Sequence, residues 1–341
     1  DPILAQNAEQ PFPLASTRKL IHLAAFALAI HEGRLNPSEQ VSVADWERFY
    51  LPGSDGGAHP RSLAYLQIPF DEFGFARDRQ ATVTLSQLAD VMMRFSDNAA
   101  PDWFLERLGA EQVNSVSARA QLRGQERVYF GLGEFLLAEN HETGLLSPQR
   151  VRELLLMSRV QIEAEARRLV EAYQQEEWRT AEWLWRLENS EKLDEYRQSA
   201  FLANLISTKG TAADMARLMS GVLTGTVLAP EVSAVMRQYL EWPADFADVI
   251  PFFDVRGKLS TWGAKGGTLL GVQTQANYFV PRTGEFTGKG RIVVLLLRNL
   301  PERGFNQLLE SAADIHLGLE LGTNQALVRQ VARALPRRIF L

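Results

Sequence analysis

Pro11-Phe-Pro-Leu-Ala-Ser16-Thr-Arg-Lys19-Leu-Ile-His-Leu-Ala-Ala-Phe-Ala-Leu-Ala-Ile-His-Glu-Gly33 is the stretch that decides the fold. It reads as one helix, entered through a proline-bounded turn and closed by a glycine. Residues 20–30 are apolar on nearly every face, so the helix is expected to run through the interior. Ser16 stands at its first turn, and Lys19 follows three residues later on the same face. A hydroxyl and an amine at the positive end of a buried helix are costly for structure alone. That cost marks the pair as a candidate site.

Working outward, a loop-rich segment follows, punctuated by Pro37, Pro52, Gly53, Gly56, Gly57 and Pro60. Residues 84–94 have helical spacing (Leu85, Leu88, Val91, Met92), and 99–108 form a second helix ending at Gly109. Phe95-Ser96-Asp97-Asn98 is a polar corner between them. Residues 148–200 hold no glycine, carry Trp178, Trp183 and Trp185, and predict two or three long amphipathic helices. Thr211 caps a helix over 212–223. Beyond Pro251 the texture turns to strands at 262–270, 272–280 and 291–297, with 284–290 as a hairpin turn. Helices over 305–319 and 325–335 close the chain. The pattern is α+β, an antiparallel sheet flanked by helices beside an all-α lobe. We assign residues 1–36 and 228–341 to the α/β lobe and 37–227 to the all-α lobe, with a helical insertion at about 145–205.

The 341 residues suffice for a large core and two lobes. A net charge of −5 gives no electrostatic footprint for nucleic acid. With no cysteine, thiolate chemistry and disulfides are excluded. No run of about 18 apolar residues is present to span a bilayer. No signal peptide opens the chain, which is therefore read as a mature or trimmed form. The five histidines are scattered and read as structural or exposed. There is no Gly-x-Ser-x-Gly elbow, and Thr287-Gly-Lys-Gly reads as a turn.

Three motifs occur in order: Ser16-Thr-Arg-Lys19, Ser96-Asp97-Asn98 and Lys265-Gly266-Gly267. Singly, each has a plainer reading: a capping serine with a lysine reaching the rim, a helix cap, and a strand bulge. As an ordered set they match Ser-x-x-Lys, Ser-Asp-Asn and Lys-Thr-Gly, so the chain resembles the class A β-lactamase and penicillin-binding serine hydrolase family. The resemblance covers most of the chain apart from roughly 145–205.

The resemblance implies Ser16 as nucleophile and Lys19 as its base, with Ser96 passing a proton to the leaving nitrogen. Lys265 would attract a substrate carboxylate, and Asn98 would bond a substrate amide. Gly267 would permit close backbone approach, with the Ser16 and Thr268 N–H groups forming the oxyanion pair. Tyr50 would wall the cleft. The glutamate that activates water in the family falls near Glu134, with Glu139 and Glu142 as competitors. The expected substrate is a β-lactam or a D-amino acid peptide, with no metal, cofactor, nucleic acid or membrane span, in a periplasmic or secreted protein. A penicillin-binding peptidase, esterase or amidase, and a binding protein using the insertion, are the alternatives. Two departures stand out. Gly266 replaces a hydroxyl residue, for which Thr268 on the same strand face could substitute, and residues 272–280 carry no arginine. The segment before Ser16 is also short for the family, implying either residues upstream of Asp1 or a smaller sheet.

Overall fold

The computed structural model describes residues 4–190, 196–242 and 255–335. The deciding stretch is a helix, Lys19–His31, preceded by a single 3-10 turn at Ala15–Arg18. Every residue from Lys19 to Ala29 is buried. Helices Leu85–Arg94, Ala99–Leu108, Ala110–Arg119 and Pro230–Leu240 pack around it. Phe26 meets Phe104 at 5.0 Å and Tyr239 at 5.8 Å between ring centroids. Burying each such side chain stabilises by roughly 1.5–3 kcal/mol, so the helix anchors the core. It ends in a Schellman turn: Gly33 takes φ +69°, its N–H donates to Ile30 O, and Arg34 N–H donates to Ala29 O.

The main sheet has three antiparallel strands in the order Leu259–Leu269, Val272–Pro281, Arg291–Leu297. Lys265 pairs with Ala276, Gly266 with Gln275, Gly267 with Thr274 and Thr268 with Gln273. Helices Ala212–Thr224 and Ala313–Thr323 both pack on the second and third strands. Two short antiparallel pairs complete the described strands, Phe12–Pro13 with Lys209–Gly210 and Gln40–Ser42 with Thr82–Thr84. The first pair sets the entry to Ser16, since Leu14 N–H also donates to Thr208 O at 3.0 Å. The 3-10 turn abuts the first two strands of the sheet.

The chain is α+β, as its sequence implies, with differences of detail. Where two or three helices are expected over 148–200, the described residues make four, Pro148–Leu156, Arg159–Tyr173, Glu176–Glu188 and Tyr196–Ile206. Ser158 forms a capping box with Gln161 and so starts a new helix where periodicity alone reads on. The stretch expected at 305–319 is two helices, Glu302–Ser311 and Ala313–Thr323, split where Ala312 turns left-handed at φ +50°. Ala58–Tyr65 is helical inside the segment read as loops. Thr211 caps Ala212–Thr224 through its side chain, as expected. Pro251, the expected start of the strand texture, lies outside the described residues. Among the described residues no helix is long and apolar enough to cross a membrane.

Candidate active site

Ser16 sits on the 3-10 turn, half-buried, immediately after Ala15, which is held at φ +47°. A non-glycine residue there stores roughly 1–3 kcal/mol of strain, offset by the packing around it. Thr17 N–H and Oγ1 both donate to Leu14 O, and Thr274 Oγ1 donates to the same carbonyl at 3.0 Å. The turn is thereby stitched to the sheet.

Lys19 Nζ is fully buried and meets four oxygens: Ser16 Oγ at 3.0 Å, Ser96 O at 2.6 Å, Ser96 Oγ at 3.2 Å and Asn98 Oδ1 at 2.7 Å. The two shortest contacts go to oxygens that can only accept. A neutral amine has two N–H groups for them and one lone pair left for a hydroxyl. Burial, then the charges of Lys265 and Arg18, hold Lys19 well below the usual lysine range.

Ser96 is itself left-handed at φ +65°, turning the corner between Leu85–Arg94 and Ala99–Leu108. Asp97, fully buried, holds that corner: its Oδ1 accepts from Ala100 N at 2.7 Å and Trp46 Nε1 at 3.1 Å. Its Oδ2 meets His59 Nδ1 at 2.7 Å, while His59 Nε2 lies 3.5 Å from Glu47 Oε1. Burial alone would lower the His59 pKa, but the Asp97 charge and hydrogen bond, with Glu47, raise it to about 9. Burial pushes Asp97 up, and His59 more than reverses that, leaving it below the usual carboxylate range. His59, Glu47 and Trp46 were not legible as site residues. They approach Asp97 only through the tertiary fold, and no local motif links them.

Lys265 Nζ meets Ser96 Oγ at 2.8 Å and donates to Gly266 O at 2.9 Å. Burial lowers its pKa to about 7. The two lysines thus flank one serine hydroxyl. A Cβ on Gly267 would strike the Ser16 N and lie 2.7 Å from Thr274 Oγ1 and 2.9 Å from Thr17 N. The bare backbone lets the strand approach the Ser16 turn this closely. At Gly266 the nearest atoms a Cβ would meet belong to the Gln275 amide, with Nε2 at 3.1 Å. The Thr268 hydroxyl donates to Gln273 Oε1 at 2.8 Å and is thereby occupied.

Glu134, on helix Gly131–Ala138, is buried against Arg18 in an ion pair. Its Oε2 also accepts from Ser207 Oγ at 3.4 Å, and its Oε1 from Thr208 N at 3.4 Å. Arg18 needs the glycine at 131, since a Cβ there would overlap its guanidinium. Asp102 anchors the same helix by accepting from Gly131 N and Leu132 N, each at 2.7 Å. Tyr50 is buried, stacked on His59 at 4.1 Å, with its hydroxyl donating to Phe73 O. Its neighbours Leu51 and Pro52 line the cleft.

Ser16, Ser96, Asn98, Glu134, Lys265, Gly267 and Thr268 all line one cavity of about 1320 Å³. Lys19 lies beneath its floor, reaching Ser16 and Ser96 from behind. Among the described residues no cluster of His, Cys, Asp or Glu is placed to hold a metal.

Residues 1–286 match the model of a family described as the beta-lactamase enzyme family. Among solved structures, the chain is similar to a beta-lactamase from Sphaerobacter thermophilus DSM 20745, with 16% identity and a TM-score of 0.51, over 98% of this chain and 88% of that one. It is also similar to a beta-lactamase from Chitinophaga pinensis DSM 2588, with 12% identity and a TM-score of 0.50, over 91% of this chain and 88% of that one. At these identities the likeness speaks for the fold. No curated protein matches the chain.

Proposed function

The chain belongs to the beta-lactamase enzyme family, and from that premise we propose that it is a serine hydrolase that opens a β-lactam amide through an acyl-enzyme on Ser16. The observation that carries this reading is the buried Lys19 Nζ, 3.0 Å from Ser16 Oγ, with both its N–H groups claimed by Ser96 O and Asn98 Oδ1. Its remaining lone pair takes the Ser16 proton as Oγ attacks the carbonyl carbon. The oxyanion that forms is held by the Ser16 and Thr268 N–H groups. The carbon–nitrogen bond then breaks, and Ser96 Oγ passes a proton to the leaving nitrogen. Ser96 is resupplied from the lysines at 3.2 and 2.8 Å. Lys265 attracts a substrate carboxylate, and the Asn98 amide N–H groups meet a substrate carbonyl. Water then releases the acyl group. Export to the periplasm or the medium belongs to the same proposal and rests on the family.

The test is turnover of a chromogenic cephalosporin together with intact mass after penicillin treatment. Turnover and a ligand-mass adduct that both vanish in Ser16→Ala support the reading; turnover untouched by that substitution defeats it. One observation favours a second reading, that of a penicillin-binding peptidase or esterase whose acyl-enzyme persists. Glu134, the candidate for activating water, has its carboxylate engaged by Arg18, Ser207 and Thr208. A long-lived adduct with turnover of D-alanyl peptides or simple esters points there.

A further inference from the structure

We propose that the helical insertion builds a specificity wall for a long apolar acyl group carried by the substrate's reacting carbonyl, an inference that rests on Ser16 being the nucleophile. The cavity that holds Ser16, at about 1320 Å³, exceeds the ~300–1,000 Å³ usual for drug-sized ligands. Its lining includes an apolar set, Phe135, Trp183, Leu184, Leu187, Leu202 and Ile206. Five of these, all but Phe135, come from helices Glu176–Glu188 and Tyr196–Ile206, which build the insertion.

Leu184 and Leu187 are each 57% exposed, one turn apart on the same helix and facing the cavity's space. Apolar surface left open beside a nucleophile is a place where ligand methylenes displace water. The wall is held rigid behind. Trp183 Nε1 donates to the Tyr173 hydroxyl at 2.9 Å, and that hydroxyl donates to Tyr50 O at 2.6 Å. Trp183 also packs on Phe75 at 4.7 Å. The cations nearby are already engaged: Arg186 bonds Glu182 at 2.6 Å and Glu139 O at 3.0 Å, and Arg18 pairs with Glu134. Among the described residues an anionic substituent therefore finds no open cation on this part of the wall, and the Glu139 carboxylate in the same lining disfavours it.

The acyl side of the substrate is the side that reaches this wall. The leaving group must face its proton source, Ser96 and Lys265. The acyl portion remains on Ser16 and extends away from them, toward helix Gly131–Ala138 and the insertion packed beyond it. The carboxylate side is correspondingly weak, because Gly266 offers no hydroxyl and the Thr268 hydroxyl is taken by Gln273.

The experiment measures kcat/KM for submicellar p-nitrophenyl acetate, butyrate and octanoate, corrected with Ser16→Ala, in the full chain and in Leu184→Lys/Leu187→Lys. The expected result is a rise on the order of tenfold from acetate to octanoate in the parent protein, as buried methylenes accumulate. In the double variant the octanoate-to-acetate ratio falls back by a similar factor. A flat chain-length series, or a ratio unchanged in the variant, overturns the proposal while leaving Ser16 as nucleophile. Absence of any Ser16 adduct with these esters and with penicillin overturns the reading beneath it as well. Both leucines are surface positions, and circular dichroism of the variant confirms that it folds.

Discussion

His59 Nδ1 meets Asp97 Oδ2 at 2.7 Å in a place where neither side chain touches solvent. Asp97 lies between Ser96 and Asn98, so this buried pair fixes the corner from which two of the site's polar groups project. Trp46 and the Ala100 N–H hold the other carboxylate oxygen. In the proposed mechanism the pair is a positioning element for Ser96 and Asn98, lying behind the cavity wall.

His59→Gln is therefore expected to cost about 3–5 kcal/mol of stability, because it leaves Asp97 and Glu47 buried without their cation. The pH dependence has a definite sign. His59 is raised from 6.5 to about 9 on folding, so its contribution is full below pH 6.5 and is lost as pH rises through about 9. Thermal unfolding followed from about pH 5 to about pH 10 should show that decline in the parent and not in the variant.

Lys19→Ala should slow acylation by about 10²–10⁴-fold, the usual worth of a positioned base. Lys19→Arg should not rescue it, since a guanidinium has no lone pair to offer. In the parent, acylation should fall as pH drops through the lowered lysine pKa and the amine is protonated. Adduct formation with penicillin, timed by intact mass, reads all three.

Gly267→Ala should cost about 10²–10³-fold in acylation, because the new methyl pushes the strand from the Ser16 N–H and spoils the oxyanion pair. Gly266→Thr should act in the opposite direction. Its Cβ would lie 3.1 Å from the amide of buried Gln275, which bonds Asp314 at 2.9 Å and must shift by a fraction of an ångström, while the added hydroxyl offers a carboxylate a bond worth about 1–2 kcal/mol. A rise of roughly tenfold in kcat/KM for carboxylate-bearing penicillins is the expected outcome.

Glu134→Gln should lower stability by about 3–5 kcal/mol by leaving Arg18 buried and unpaired. Replacing both, as Arg18→Leu with Glu134→Leu, should recover much of the loss. Denaturant unfolding of the single and double variants compares them directly.

Much of the molecule is legible in its primary structure where local rules coincide. The all-round apolar run after Lys19 has no stable alternative to a buried helix, and Thr84, Thr211 and Gly33 mark helix ends by their own hydrogen bonds and φ angles. The insertion was legible as helical but not in its breaks, since the capping at Ser158 competes with an unbroken periodicity. Tyr50 shows the limit of analogy. An aromatic near the cleft packs on His59, and Leu51 and Pro52 take the surface.

The order Ser16, Lys19, Ser96, Asn98, Lys265 and Gly267 belongs to the sequence by itself, because spacing across one helix entry, one corner and one strand is a local matter. What only the tertiary structure decided is the chemical state of those groups. Burial from all sides lowers both lysines, and His59, 38 residues before Asp97 in the chain, locks the corner between them. The pairing of Glu134 with Arg18 across 116 residues likewise decides where that carboxylate points. Charge states and long-range pairs depend on desolvation and on partners brought together by folding, and neither is written in the spacing of a motif.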